Sequence, residues 1–185
     1  MYAGKKLLNV KNMIVCALFV ALITIGAFIK IPVPVCPFTL QLLFTTLAGL
    51  LLGARLGFLA VFVYVAIGLM GIPVFTQGGG PSYILQPTFG YLIGFAVGGY
   101  VVGLLTEKIN RPSLKRLLVA NFINLFIVYL FGIIYVYLIN MFYLNIPIGI
   151  WPLFLYCFIL AIPGDIVLCI IAGVLGKKLI PIIRK

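Results

Sequence analysis

Two carboxylates are the whole acidic complement of this 185-residue chain, and they stand in opposite surroundings. Glu107 lies in a polar connection and needs no special account. Asp165 sits within Trp151–Gly176, a long apolar run with no other charge. A carboxylate at membrane depth costs roughly 3 kcal/mol or more unless a proton, a partner or a ligand compensates it, so it marks a site by default. Catalysis is a poor use for it. The chain has no His, no Ser, Cys and acid set assembles around Asp165, and one buried carboxylate cannot act as both general acid and general base. A metal is no better served: Cys16, Cys36, Cys157 and Cys169 show no CxxC pairing, and without His they form no ligand set. They read as small packing residues. Holding a ligand or carrying a proton is what remains for Asp165.

The elements that must position it are membrane helices. The chain is 65% hydrophobic and 8% charged, whereas a soluble domain carries roughly a quarter of its residues charged. In lipid every backbone polar group needs an internal partner, which leaves helix or closed barrel. Met13–Ile29 and Leu117–Tyr143 are continuously apolar without period-two alternation, and that excludes a barrel. The expected fold is all-α, one integral membrane domain over residues 1–185 with six transmembrane helices at 13–29, 38–52, 56–70, 89–105, 117–143 and 151–176. A full crossing takes about 20 residues, so the second and third spans are short, and the tight turn Gly53–Arg55 joins them.

The net charge of +11 fits this topology rather than nucleic acid. All basic residues but Lys30 fall in four clusters: Lys5, Lys6 and Lys11; Arg55; Lys108, Arg111, Lys115 and Arg116; and Lys177, Lys178, Arg184 and Lys185. They occur at every second connection, the positive-inside pattern, which places both termini in the cytoplasm. No basic face is left for a duplex. The first apolar run is followed by Lys30 and prolines and does not read as a cleaved signal peptide.

The three external connections, Lys30–Pro37, Gly71–Pro87 and Leu144–Ile150, are rich in Pro and Gly and nearly uncharged. The middle one exceeds the ~12–15 residues beyond which a connection without structure of its own is uncommon, so a ligand site opening outward is expected there. Gly78, Gly79 and Gly80 permit close backbone approach. Pro87 and Thr88 suit a helix start whose free N–H groups could receive an anion, or simply a capped turn. Small residues recur four apart at Gly90, Gly94 and Gly98, the spacing of close helix packing, and at Ala17 and Ala21, a stripe open to a partner protein.

Taken together, these stretches resemble the BioY family. The resemblance rests on Ile72-Pro-Val-Phe75, the glycine run, and Pro87-Thr88-x-Gly90-Tyr-Leu-Ile-Gly-Phe95. It extends to Pro37-x-Thr-Leu-Gln41, the turn Leu51-Leu-Gly-x-Arg-Leu-Gly57 and Pro163-Gly164-Asp165, and spans nearly the whole chain in order. It implies a substrate-binding S component of an energy-coupling-factor (ECF) transporter: a six-helix protein of the prokaryotic cytoplasmic membrane that captures biotin from outside. It further implies a transmembrane coupling protein and two ATPases as partners, with ATP used by those ATPases and no cofactor bound by this chain. Ala17 and Ala21 match the feature through which such proteins meet the coupling protein.

For a biotin ligand the resemblance implies Asp165 as acceptor for the ureido N–H groups, a charge-assisted bond. Phe75, Tyr83 and Tyr91 would wall the ring system, and Gln41 would reach in from the second span. Backbone donors at Gly78–Gly80, with Ser82 or Lys30, are candidates for the carboxylate. Two departures stand out. The family commonly has a Lys three positions after its last-helix Asp, where this chain has Leu168. The family's Gly-Pro-Thr-Gly-Gly-Tyr becomes Gln86-Pro87-Thr88-Phe89-Gly90-Tyr91. Gln86 or Gln77 could replace the lost donor, or the site could suit a related acid such as dethiobiotin or lipoate. A proton-coupled carrier using Asp165 is the rival class, but it usually shows internal repeats, and none is evident.

Overall fold

The structure, a computed structural model, describes residues 9–32, 37–109, 111–145 and 149–184. Lys5, Lys6, Cys36, Lys185 and parts of the Lys30–Pro37 and Leu144–Ile150 connections lie outside the described residues. Helix α1 (Val10–Phe28) leads into a two-residue hairpin, β1 (Lys30–Ile31) and β2 (Phe38–Thr39), paired antiparallel with Lys30 opposite Thr39. Helices α2 (Gln41–Leu52) and α3 (Ala54–Leu69) follow, then a loop carrying one 3-10 turn at Pro81–Leu85. The chain ends in α4 (Phe89–Thr106), α5 (Leu114–Phe142), short α6 (Ile150–Phe154), a π turn at Leu155–Ile159 and α7 (Ile162–Ile183).

Among the described residues, four segments are long and apolar enough to cross a membrane: Val10–Phe28, Phe89–Thr106, Leu114–Phe142 and Trp151–Ile183. Gln41–Leu52 and Ala54–Leu69 are apolar but shorter. At 1.5 Å per residue α2 and α3 reach about 18 and 24 Å, less than the ~30 Å hydrocarbon core. Several boundaries differ from expectation for local reasons. Residues 38–39 are strand, because the hairpin uses them to pair with β1. Helix α5 starts at Leu114, where Ser113 Oγ accepts the Arg116 backbone N–H at 3.3 Å and so satisfies a first-turn donor. The last span is interrupted by the π turn at 155–159, and α7 then runs past Gly176 through Lys177 and Lys178 to Ile183.

Helix α4 is the central element and packs most extensively on α5, then on α3 and α2. Its small-residue stripe faces inward. A Cβ on Gly94 would lie 2.8 Å from the Val128 backbone of α5, and one on Gly90 would meet Phe131 O at 2.7 Å. On another side of α4, Gly99 meets Gly49 of α2, and Gly103 meets the Gly53–Ala54 turn. Without a hydrophobic drive between helices in lipid, such backbone proximity is what holds them. Gly53 also needs its own geometry: its φ of 83° is reached cheaply only by glycine.

The interior divides along the bundle. One apolar cluster near the long loop holds Ile23, Tyr64, Phe75, Tyr83, Leu92, Phe95, Tyr129 and Leu168. A second, near the basic end, holds Cys16, Phe19, Leu47, Leu50, Val102, Leu117, Ala172 and Ile180. Two polar staples close that basic end. Glu107, expected to be an ordinary loop residue, accepts the Ala54 backbone N–H on Oε2 at 3.0 Å and so caps α3. Arg184 donates from Nη1 to Thr106 O at 2.7 Å and from Nη2 to Leu50 O, tying the end of α7 to the last turns of α2 and α4. Hydrogen bonds from a charged donor contribute about 2 kcal/mol. Arg184→Gln is therefore expected to lower the melting temperature of the purified protein by about 5 °C. A thermal melt in detergent checks it.

Candidate functional site

Buried polar side chains occur along the whole bundle, and one group of them, with Thr39 and Gln41, lies at the loop end beside Asp165. Proline at the second position of α7 is compatible with helix initiation, and the π turn before it re-aims the chain. Together they set Asp165 in the first turn of α7, where a carboxylate is favoured by the helix dipole. Gly164 lets the Phe38 ring of β2 pack close: an added Cβ would stand 2.6 Å from it. The pieces of the Pro163-Gly164-Asp165 motif thus have separate jobs: starting a helix, admitting a ring and presenting an acid.

Asp165 faces a cavity lined by Pro37, Phe38, Thr39, Gln41, Leu42, Thr76, Tyr83, Thr88, Tyr91, Leu92, Phe95, Val128, Tyr129, Cys157 and Ala161. The void between these walls is about 620 Å³ with its open mouth, and the centre of a water-sized sphere can occupy about 70 Å³ of the site. The larger figure includes open solvent at the mouth; the smaller one describes the cleft itself, which is narrow. A second, outer void shares Pro37 and Thr88 with it and is bordered by Lys30, Pro32, Gln77, Gln86, Pro87 and Asn140. The two read as a chamber and its vestibule.

Four hydrogen-bonded groups arm the chamber. Tyr129 Oη of α5 donates to Asp165 Oδ2 at 2.5 Å. Gln41 Nε2 donates to Tyr64 Oη at 2.8 Å, Tyr64 Oη donates to Val74 O at 3.0 Å, and Thr39 Oγ1 donates to Gln41 Oε1 at 3.3 Å, so the Gln41 amide is held from both ends. Tyr83 Oη lies 3.0 Å from Thr76 Oγ1 and 3.3 Å from Thr88 Oγ1, a cluster of hydroxyls at the mouth. Tyr91, whose ring packs against Gly132, donates to Cys157 O at 3.1 Å in the π turn, where irregular geometry leaves a carbonyl available. The aromatic wall is braced by edge contacts of Tyr129 with Tyr91 and Phe158.

The structure brings together Asp165, Gln41, Tyr83, Thr88 and Tyr91 from separate segments. It separates others that sequence reasoning grouped with them. Phe75 does not border the chamber: it is 1% exposed and wedged between Tyr64 and Tyr83, so it supports the wall from behind. The glycine run is also withdrawn. Gly78 N–H bonds Phe75 O at 3.2 Å, Gly80 N–H bonds Gly68 O at 2.7 Å, and Gly79 lies where any Cβ would strike Ile72. The donors of Gly78 and Gly80 are consumed in folding the loop. Ser82 is exposed on the 3-10 turn, away from both voids. Gln77, Gln86 and Lys30 border the vestibule instead, and Lys30 Nζ donates to Thr76 O at 2.7 Å. Ala17 and Ala21 are exposed on α1 beside Ile14, Leu18 and Ile25. Sequence reasoning missed Tyr129, Thr39 and Thr76. Tyr129 had a signal: a hydroxyl at mid-span in α5 needs a polar partner.

A helical membrane bundle that presents a lone acid to a narrow, hydroxyl-lined chamber has the frame of a solute-binding membrane protein. Residues 3–185 match the model of the BioY family, and the chain belongs to that family. It is 46% identical over 173 residues to the probable biotin transporter BioY of Lysinibacillus sphaericus, covering 94% of this chain and 88% of that one. It is 34% identical to the probable biotin transporter BioY of Pyrococcus horikoshii, covering 93% and 98% of the two chains. Among solved structures it superposes on the crystal structure at 2.1 Å of the S-component for biotin from an ECF-type ABC transporter. That match has a TM-score of 0.77 and 29% identity and covers 96% and 94% of the two chains.

Proposed function

We propose that this chain is the biotin-capturing S component of an ECF-type transporter, a cell-membrane protein that binds and delivers its solute and performs no catalysis. The observation that carries the reading is the chamber itself: a carboxylate, a fixed amide and a ring of hydroxyls enclosed by aromatic and aliphatic walls, in a member of this family. Biotin combines a ureido ring with two N–H donors, an apolar bicycle and a valerate tail. Asp165 accepts a ureido N–H, and Tyr83, Tyr91, Leu92 and Phe95 enclose the bicycle. The tail extends toward the vestibule, where Lys30, Gln77, Gln86 and Thr88 meet the carboxylate.

Family membership and charge placement support a reading of the rest of the assembly. Residues 1–185 form one membrane domain with six crossings, α2 and α3 being the short pair, and both termini are cytoplasmic. The vestibule then opens outward. The exposed Ala17 and Ala21 stripe meets a transmembrane coupling protein, and two ATPases bound to that protein consume ATP. A thermal-shift panel of biotin, dethiobiotin, lipoate and unrelated vitamins tests the ligand, since a bound solute stabilises the folded state by mass action. Biotin should give the largest shift; a larger one from lipoate, which lacks the ureido group, would reassign the site. Tyr129→Phe should weaken biotin binding about tenfold, or about 1.4 kcal/mol, because the Asp165 carboxylate loses the bond that fixes its orientation. Isothermal titration of the variant measures this directly.

A further inference from the structure

We infer that the Asp165 end of the chamber accepts a cyclic guanidinium head group as well as a neutral ureido ring. The inference rests on the biotin reading and extends it to the charge of the ligand. Among the described residues bordering the chamber there is one carboxylate and no Lys or Arg. Lys30 borders the vestibule and is directed to a loop carbonyl. Leu168, one turn beyond Asp165, is 5% exposed and packed in the apolar cluster with Tyr129, so that position supplies no counter-charge. Tyr129 engages Oδ2.

The site is therefore electrostatically one-sided, and a partly buried carboxylate without a cation is costly. A cationic head group brings the missing charge with it and makes a charge-assisted bond in the same geometry as a ureido N–H. Replacing the ureido oxygen by an exocyclic nitrogen also reverses the sense of one hydrogen bond. The other polar groups of the chamber are mostly hydroxyls, which act as donor or acceptor by rotation. A fixed ammonium could only donate and would repel the analogue. Against the gain stands the cost of drying the ligand's own charge, so near parity is expected rather than a large preference.

The test is competition between biotin and 2-iminobiotin for the purified full-length chain at pH 7, where a guanidinium-type group stays charged. Affinity for 2-iminobiotin within tenfold of biotin supports the inference; a loss beyond tenfold overturns it. In Asp165→Asn, 2-iminobiotin should lose at least tenfold more affinity than biotin loses, and a smaller differential overturns the role given to charge. Should that variant not fold, the wild-type competition decides alone. If biotin itself does not bind, it is the ligand assignment that fails, an outcome distinct from either.

Discussion

Asp165→Asn is expected to weaken biotin binding about a hundredfold while leaving the bundle folded. Asparagine keeps the shape of the side chain and can still accept the Tyr129 hydroxyl on its carbonyl oxygen. What it loses is the second acceptor oxygen. In its place stands an NH₂ group, which would confront the ureido N–H donor to donor. Removing one partner of a buried charged hydrogen bond costs about 3 kcal/mol, because the other partner is left unsatisfied, and 1.4 kcal/mol is a decade in affinity. The hydrogen bond from Tyr129 to this side chain survives the change, so the packing of the helices is untouched. Titration calorimetry on the variant, beside a thermal melt, separates the two effects. Equal affinity in the two proteins would remove Asp165 from the site.

The second large effect concerns the frame. Gly49→Val should lower the melting temperature by about 10 °C or abolish insertion of folded protein, a loss of about 3 kcal/mol or more. A Cβ at Gly49 would run into the backbone carbonyl of Gly99 on α4, and a carbonyl in a helix cannot swing aside. Nor can α2 retreat, because Gly57 of α3 is pressed on its other side: a Cβ at Gly57 would stand 2.8 Å from Gly49 Cα. Three backbones converge there, and the short α2 carries Gln41 at its first turn. Fluorescence-detected size exclusion after heating measures the loss. A valine variant as stable as the parent would show that α2 and α4 do not cross at these glycines.

Much of this was legible in the order of residues, and the parts that were not share a cause. Apolar runs and basic clusters marked the helices, since composition alone decides whether a segment prefers lipid. Asp165 was legible because a charge among apolar neighbours needs no partner to be noticed. Tyr129 carried only the general signal of a mid-span hydroxyl, because its particular meaning comes from lying 2.5 Å from a residue 36 positions away. The glycine run was ambiguous for the converse reason. Gly78–Gly80 looked like a cradle for a ligand, but such freedom equally serves a loop folding on itself, and the bonds from Gly78 to Phe75 and from Gly80 to Gly68 show that use. Phe75 was named as an aromatic near the loop, and only packing could tell a wall from its buttress. The π turn at 155–159 left no mark in composition, since apolar residues suit either winding. Leu168 was visible as a departure, and its consequence, a chamber with an acid and no base among the described residues, needed the full lining.

A proton-coupled carrier built on Asp165 would need the chain to move its solute alone, whereas the proposed S component would bind alone and transport with its partners. The most direct test is therefore equilibrium binding of biotin to the purified chain without coupling protein, ATPases or ATP. Saturable one-to-one binding at nanomolar concentration is the predicted result. Absence of saturable binding at millimolar biotin would contradict it.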